Sequence, residues 1–227
     1  MSKAKRSYTR QTRVFRKAAA ALAMLLFCNV VLHLGYLLPR QPLRFAEQRS
    51  GVYEPMRVVA AQWRAGLLEW RWPGWKRPVD CLYLTEGTNT LTLCDVYPSL
   101  LGWMGGYAFA IDCSDGAPAH VGWAAMSNSE DDAVAVFYGR IDVGAEEIAR
   151  LTLRGEPEWD IGDVYAFEGY EAGKNAAFTR GGQTYVLFAA KKDEIPISGM
   201  EAYQLVAETA GGERVYDVEP MGATFYG

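Results

Sequence analysis

Histidine is scarce in this chain: among 227 residues only His33 and His120 occur. A zinc site built on several imidazoles is therefore excluded. Any Ser-His-Asp or Cys-His machinery must use His120, because His33 lies inside an apolar run. The four cysteines, Cys28, Cys81, Cys94 and Cys113, include no Cys-x-x-Cys pair, which excludes zinc ribbons and dithiol redox motifs. A phosphate-cradling loop is also missing, since Gly102-Trp103-Met104-Gly105-Gly106 lacks the lysine and the strand-to-helix setting that such a loop needs. No cofactor is expected from this inventory. With 50% apolar and 22% charged residues, the chain can bury a core and is not disordered throughout.

Acidic residues are absent before Glu47, and their distribution divides the chain. Residues 1 to 17 carry seven bases, Lys3, Lys5, Arg6, Arg10, Arg13, Arg16 and Lys17, for a net +7. Residues 18 to 77 hold eight bases against three acids, net +5, and the remainder holds eight bases against 24 acids, net −16. So acidic a folded part argues against nucleic acid as its partner.

From Ala18 to Leu38 the chain reads AAAALAMLLFCNVVLHLGYLL, 21 residues without a formal charge. As a helix it would extend about 30 Å, the thickness of a bilayer's hydrocarbon core. The spacing predicts a transmembrane helix over 18–38, and the preceding bases place the amino terminus in the cytoplasm and the rest outside. A secretory signal would have a shorter apolar region and small residues before the cut, whereas His33-Leu34-Gly35-Tyr36-Leu37-Leu38-Pro39 contains no Ala-x-Ala. An uncleaved, single-pass signal-anchor is the expectation. Asn29 and His33 share a helix face beside Gly35, which leaves room for a weak homodimer through this helix.

Residues 39–77 form a basic, Trp-rich juxtamembrane segment. After Pro55, Met56, Val59, Trp63, Leu67 and Trp70 recur at helical spacing, and Arg57, Arg64 and Arg71 repeat every seven residues beside them. The pattern predicts an amphipathic helix. Trp63, Trp70, Arg57, Arg64 and Arg71 are candidates for the headgroup layer of the membrane; the alternative is that the tryptophan stripe packs on the following domain.

Residues 78–227 read as mainly β, with a division at 132/133 into two subdomains as an option. Cys81–Glu86 and Asn89–Cys94 flank Gly87-Thr88; as a two-residue loop this pairs Leu82 with Leu93 and Leu84 with Leu91, and sets Cys81 opposite Cys94. A disulfide between Cys81 and Cys94 and a pair of free thiols are equally consistent with that register. A second hairpin joins 203–208 to 214–218 through Gly211-Gly212 and puts Tyr203, Leu205, Ala207, Tyr216 and Val218 on one side. Further strands are predicted at 133–141, 148–153, 176–179 and 184–190. Many short strands with turns between them suggest an antiparallel sandwich or barrel.

Val136-Phe137-Tyr138-Gly139-Arg140-Ile141, Ile148-Ala149-Arg150-Leu151-Thr152-Leu153, Tyr185-Val186-Leu187-Phe188 and Tyr203-Gln204-Leu205-Val206, with their turns, resemble the small immunoglobulin-like β-sandwich modules of bacterial single-span envelope proteins. The resemblance covers residues 133–220. It implies a membrane-anchored extracytoplasmic module that binds or braces an envelope protein or polymer, and it transfers no site residues. A carboxylate-based hydrolase of wall polymers is a second reading, through Asp112, Asp115 and Glu130-Asp131-Asp132; single-span signalling is a third. No catalytic or metal-ligating residue is assigned, and His120 reads as polar loop surface.

Overall fold

The computed structural model describes residues 2–31, 35–63, 81–99, 102–129, 132–142, 147–169, 172, 175–191, 194 and 202–220. Two helices, α1 (Ser2–Val31) and α2 (Leu43–Arg49), precede the strands. The first sheet has the order β1 (Arg57–Trp63), β2 (Cys81–Glu86), β3 (Thr90–Ser99), β4 (Gly102–Asp112). The middle sheet runs β14 (Glu219–Pro220), β5 (Ala119–Ser129), β6 (Asp132–Ile141), β11 (Gln183–Lys191), β10 (Asn175–Arg180), β9 (Tyr165–Ala166). The third runs β13 (Gly212–Asp217), β12 (Gln204–Thr209), β7 (Ile148–Arg154), β8 (Trp159–Asp163). All pairings are antiparallel except β9 with β10 and β14 with β5.

The chain is mainly β, as the turn spacing predicts, but it has three stacked sheets rather than the two of a simple sandwich. The cause is visible in β6 and β11, whose residues are apolar without alternation. A strand covered on one face alternates; one covered on both reads as an unbroken apolar run. Val134, Val136 and Tyr138 meet Leu82, Leu84, Leu91 and Leu93 of the first sheet. Ala135, Phe137 and Ile141 meet Leu151, Leu153, Leu205 and Ala207 of the third. The middle sheet therefore separates two cores. Because β5 pairs with β6 along most of its length, residues on either side of 132 share one sheet.

Both hairpins are displaced from the predicted register by two residues. In the first, Leu84 pairs with Leu93 and Glu86 with Leu91. Its turn has moved to Thr88-Asn89: the Gly87 N–H bonds the Thr90 carbonyl at 2.8 Å and the Glu54 carboxylate accepts the Thr88 N–H at 2.9 Å. In the second, Thr209 pairs with Gly212, leaving Ala210-Gly211 as the turn, and the Thr209 hydroxyl donates to the Gly212 carbonyl at 2.9 Å. A two-residue slip preserves which face each side chain occupies, so the predicted inward leucines remain inward. It does separate the cysteines. Cys81 now pairs with Val96 and Cys94 with Tyr83. Diagonal neighbours of this kind are about 7–8 Å apart, beyond the roughly 6.8 Å between Cα atoms that a disulfide reaches. Both thiols are buried and not joined in a disulfide.

Two predicted helices need correction. Residues 57–63, placed in an amphipathic helix by their spacing, form β1 along the edge of β2, with Ala61 opposite Tyr83 and Trp63 opposite Cys81. A register shift between Val58 and Ala60 buries Val59, Ala60, Ala61 and Gln62 in succession, which a helix with one buried face does not do. Adjacent β-branched valines also suit a strand. Arg64, Leu67, Trp70 and Arg71 lie outside the described residues. The apolar helix ends earlier than predicted: α1 is helical through Val31, while Gly35–Leu38 is not. Tyr36 instead exchanges two 2.7 Å backbone hydrogen bonds with Trp103 of β4. Gly102 has a φ of +132° there, and a Cβ on it would lie 2.4 Å from the Tyr36 carbonyl oxygen. The described apolar helix, 18–31, is about 21 Å long at 1.5 Å per residue, short of a bilayer's roughly 30 Å. Among the described residues no helix is long and apolar enough to cross a membrane.

Candidate functional site

Strand alternation gathers charged groups at one end of the first core. Leu82 and Leu84 point from β2 into that core, and Glu86, the next residue of the same parity, follows them. Across the interface Val134, Val136 and Tyr138 are continued by Arg140, and β11 contributes Tyr185 opposite it. The Glu86 carboxylate, 4% exposed, accepts from Arg57 Nε at 2.9 Å and Nη2 at 2.6 Å, from Arg140 Nη1 at 2.9 Å and from the Tyr185 hydroxyl at 3.0 Å. Arg140 also donates to Asp142 Oδ2 through Nη2 at 3.0 Å and Nε at 3.2 Å. Gln183 Nε2 donates to Asp142 Oδ1 at 3.0 Å, which orients its carbonyl oxygen 2.7 Å from the Tyr185 hydroxyl. One phenolic proton thus serves two acceptors, Gln183 and Glu86.

Two arginines and two carboxylates balance in this cluster, and its links join β1 and β2 to β6 and β11. It clamps the first sheet to the middle one. The electrostatics follow the geometry. The carboxylate beside Arg57 raises that guanidinium's pKa; for Arg140 burial pulls downward, but Glu86 and Asp142 outweigh it. Burial, with the neighbouring Glu86 charge, pushes the Tyr185 phenol well up, so it stays protonated and donates.

Cys113 and His120 border the cluster. His120 is not loop surface: it lies in β5, buried, paired with Arg140 across the sheet. Its Nε2 is 2.7 Å from Asp115 Oδ1, while its buried Nδ1 has no hydrogen-bond partner among the described residues. Burial pushes the Cys113 thiol up to about 11, so at neutral pH it is protonated and not nucleophilic. Asp112 and Asp115, candidates for a hydrolytic pair, are both exposed and close their own turns: Asp112 accepts the Ser114 N–H and Asp115 the Ala117 N–H, each at 2.9 Å. The Ser114 side chain, with its N–H, lowers the Asp112 carboxyl pKa, and the Ala117 N–H, with His120, lowers that of Asp115. Glu130 and Asp131 lie outside the described residues. Among the described residues no three His, Cys, Asp or Glu side chains are grouped to hold a metal.

The opposite face of the first sheet holds a second polar group under α2. Leu43, Ala46 and Glu47 face the sheet from this helix, beside Cys81, Tyr83, Cys94 and Val96. The Thr85 hydroxyl donates to the buried Glu47 carboxylate at 2.8 Å, and Arg44 approaches it at 3.5 Å. Desolvation nevertheless raises the Glu47 pKa. Burial likewise pushes the Cys94 thiol well up.

Of the residues singled out by sequence, Arg57 joins the Glu86 cluster, and Trp63 packs edge-on against Tyr83 and Trp103, at ring distances of 6.1 and 6.4 Å. Trp63 is thus in contact with the domain's own rings, while the Arg57 side chain stays 63% exposed beyond its bond to Glu86. Sequence reasoning did not single out Glu86, Arg140, Tyr185 or Glu47. The available signal was a single charge closing an apolar strand, Glu86 after CLYLT and Arg140 after AVAVFYG.

Comparison with known proteins yields no match among family models, curated proteins or solved structures. The immunoglobulin-like resemblance of residues 133–220 gains no support from those comparisons, and function rests on the geometry alone.

Proposed function

We propose that this chain is a membrane-anchored protein of a bacterial envelope, held by α1, whose acidic β domain lies on the extracytoplasmic side as a binding or structural module. The observation that carries this reading is the surface of α1. Phe15 is 76%, Met24 70% and Phe27 58% exposed, and residues 18 to 27 are exposed in succession around the helix. Apolar surface on that scale is driven out of water, and a basic amino-terminal half beside it matches the anionic leaflet. The uncharged run before Gly35 has 17 residues, the short end of what spans a bilayer. The three-layer domain, clamped by the Glu86 cluster, suits a rigid scaffold presented to a partner.

Carbonate extraction followed by protease treatment of cells with opened walls tests this. The protein is expected in the membrane pellet with its β domain digested. A soluble product lacking residues 1 to 38, or a domain protected from external protease, would refute the assignment.

A further inference from the structure

We propose that the α2 face of the β domain rests on the membrane surface, with its side chains in the headgroup layer of anionic lipid. This deepens the anchor reading and rests on it. The face begins at Gly35, close after α1 in the sequence. Tyr36 is pinned to Trp103 by its two backbone bonds, which fix the chain to the β4 edge of the first sheet at the margin of that sheet's outer side. From there the segment runs through α2 to residue 54 across that side. Leu43, Ala46 and Glu47 point inward to the sheet, which turns Phe45 and Arg49 outward. Arg44 donates to the Tyr53 and Glu54 carbonyls and so holds the 50–54 loop against the helix.

What this face presents is unusual for water. Leu37 is 63%, Leu38 60% and Tyr53 73% exposed, Phe45 on α2 is 36% exposed, and the Arg49 guanidinium lies 5.9 Å from the Phe45 ring centroid. Aromatic rings paired with arginine suit the boundary between phosphates and acyl chains. Charge completes the match. Between residues 35 and 53 the bases are Arg40, Arg44 and Arg49, and the one acid, Glu47, is buried against Thr85. The body from residue 78 onward carries −16. An anionic surface attracts the first and repels the second, so the domain's own charge separation turns this face toward lipid. The residues that meet the headgroups are therefore Leu37, Leu38, Phe45, Arg49 and Tyr53, and not Arg57 or Trp63.

The test uses the full chain with Tyr53→Cys and Cys28→Ser, carrying an environment-sensitive fluorophore at position 53, reconstituted into vesicles of phosphatidylcholine with or without phosphatidylserine. A blue shift on anionic vesicles is expected. Arg40→Gln and Arg49→Gln should each lower the ratio of docked to undocked domains about fivefold, and Phe45→Ser should lower it independently of salt. Circular dichroism checks that each variant is folded. Carbonate-resistant pelleting with a fluorophore that stays in water on every vesicle overturns the face and leaves the anchor standing. Loss of pelleting with the shift retained overturns the anchor and leaves the face. A shift that is equal on both vesicle types, or that grows with protein concentration in the absence of lipid, overturns the proposal in favour of a protein contact.

Discussion

Replacing Glu86 with Gln removes the charge at the centre of the clamp between the first and middle sheets while keeping its shape. Arg57 is exposed enough to turn toward water, so its loss is small. Arg140 is not: its side chain is 9% exposed, and losing Glu86 leaves it only Asp142, itself one-third exposed. A Gln amide N–H would also point at a donor, either Arg140 or the pair formed by Arg57 and Tyr185. Breaking a buried ion pair by removing one partner costs about 3–5 kcal/mol, and the surviving Asp142 contact places this case near the lower end. For a domain of this size that is a fall in midpoint temperature of about 6–12 °C. Urea unfolding at neutral pH, followed by tryptophan fluorescence of the full chain in detergent, measures it. The double variant Glu86→Leu with Arg140→Met takes away both charges and should recover most of the loss, because apolar groups of similar volume satisfy a dry interface as well as a buried pair does. A single-variant loss below about 1 kcal/mol, or a double variant as unstable as the single one, would refute the reasoning.

Three further outcomes follow from the same contacts. The Glu47 carboxyl has a raised pKa in the folded state, so the native protein binds its proton more tightly than the unfolded chain does, and stability falls as pH rises through that value. Glu47→Gln keeps an acceptor for Thr85 and should abolish this decline in urea titrations run across the mildly acidic range; an unchanged pH slope contradicts it. Glu54 has the opposite sign. Its pKa is lowered by hydrogen bonds from the 88–90 turn, so its contribution is present above the ordinary carboxylate value and disappears as pH falls below it. Glu54→Ala should cost about 1 kcal/mol at neutral pH and nothing in strong acid, and equal loss at both pH values would count against the turn contact. Non-reducing mass spectrometry should find Cys81 and Cys94 unbridged, with thiols that react with an aromatic disulfide reagent only after unfolding; a peptide linking them would overturn the observed hairpin register.

How far the sequence reached is best judged from individual elements. The strands predicted at 133–141 and 184–190, apolar without a break over 133–138 and 185–190, marked β6 and β11, and alternation placed Leu82, Leu84, Leu205 and Ala207 on inward faces. That assignment survived although both hairpin registers slipped by two residues, because side-chain direction has a period of two. The same slip was decisive for Cys81 and Cys94, whose pairing depends on opposition and not on face. Their register was set by Glu54, more than thirty residues upstream, which bonds the backbone of the turn. Nothing local in the hairpin encodes that contact. The stripe from Met56 to Trp70 satisfied helical spacing, yet β2 offered Arg57–Trp63 an edge, and a bulge let consecutive residues be buried.

By itself, then, the amino-acid order settled the β character, the inward faces, the charge separation and the exposed greasy helix at the start, since each depends on residue type or on a short period along the chain. Folding in three dimensions decided the third layer, the strand at 57–63 and the non-helical chain at 35–38. It also brought Glu86, Arg57, Arg140 and Tyr185 together from four strands. Such partners lie up to 128 positions apart, and a strand's neighbours across a sheet are chosen by the packing of whole layers, which no local pattern records.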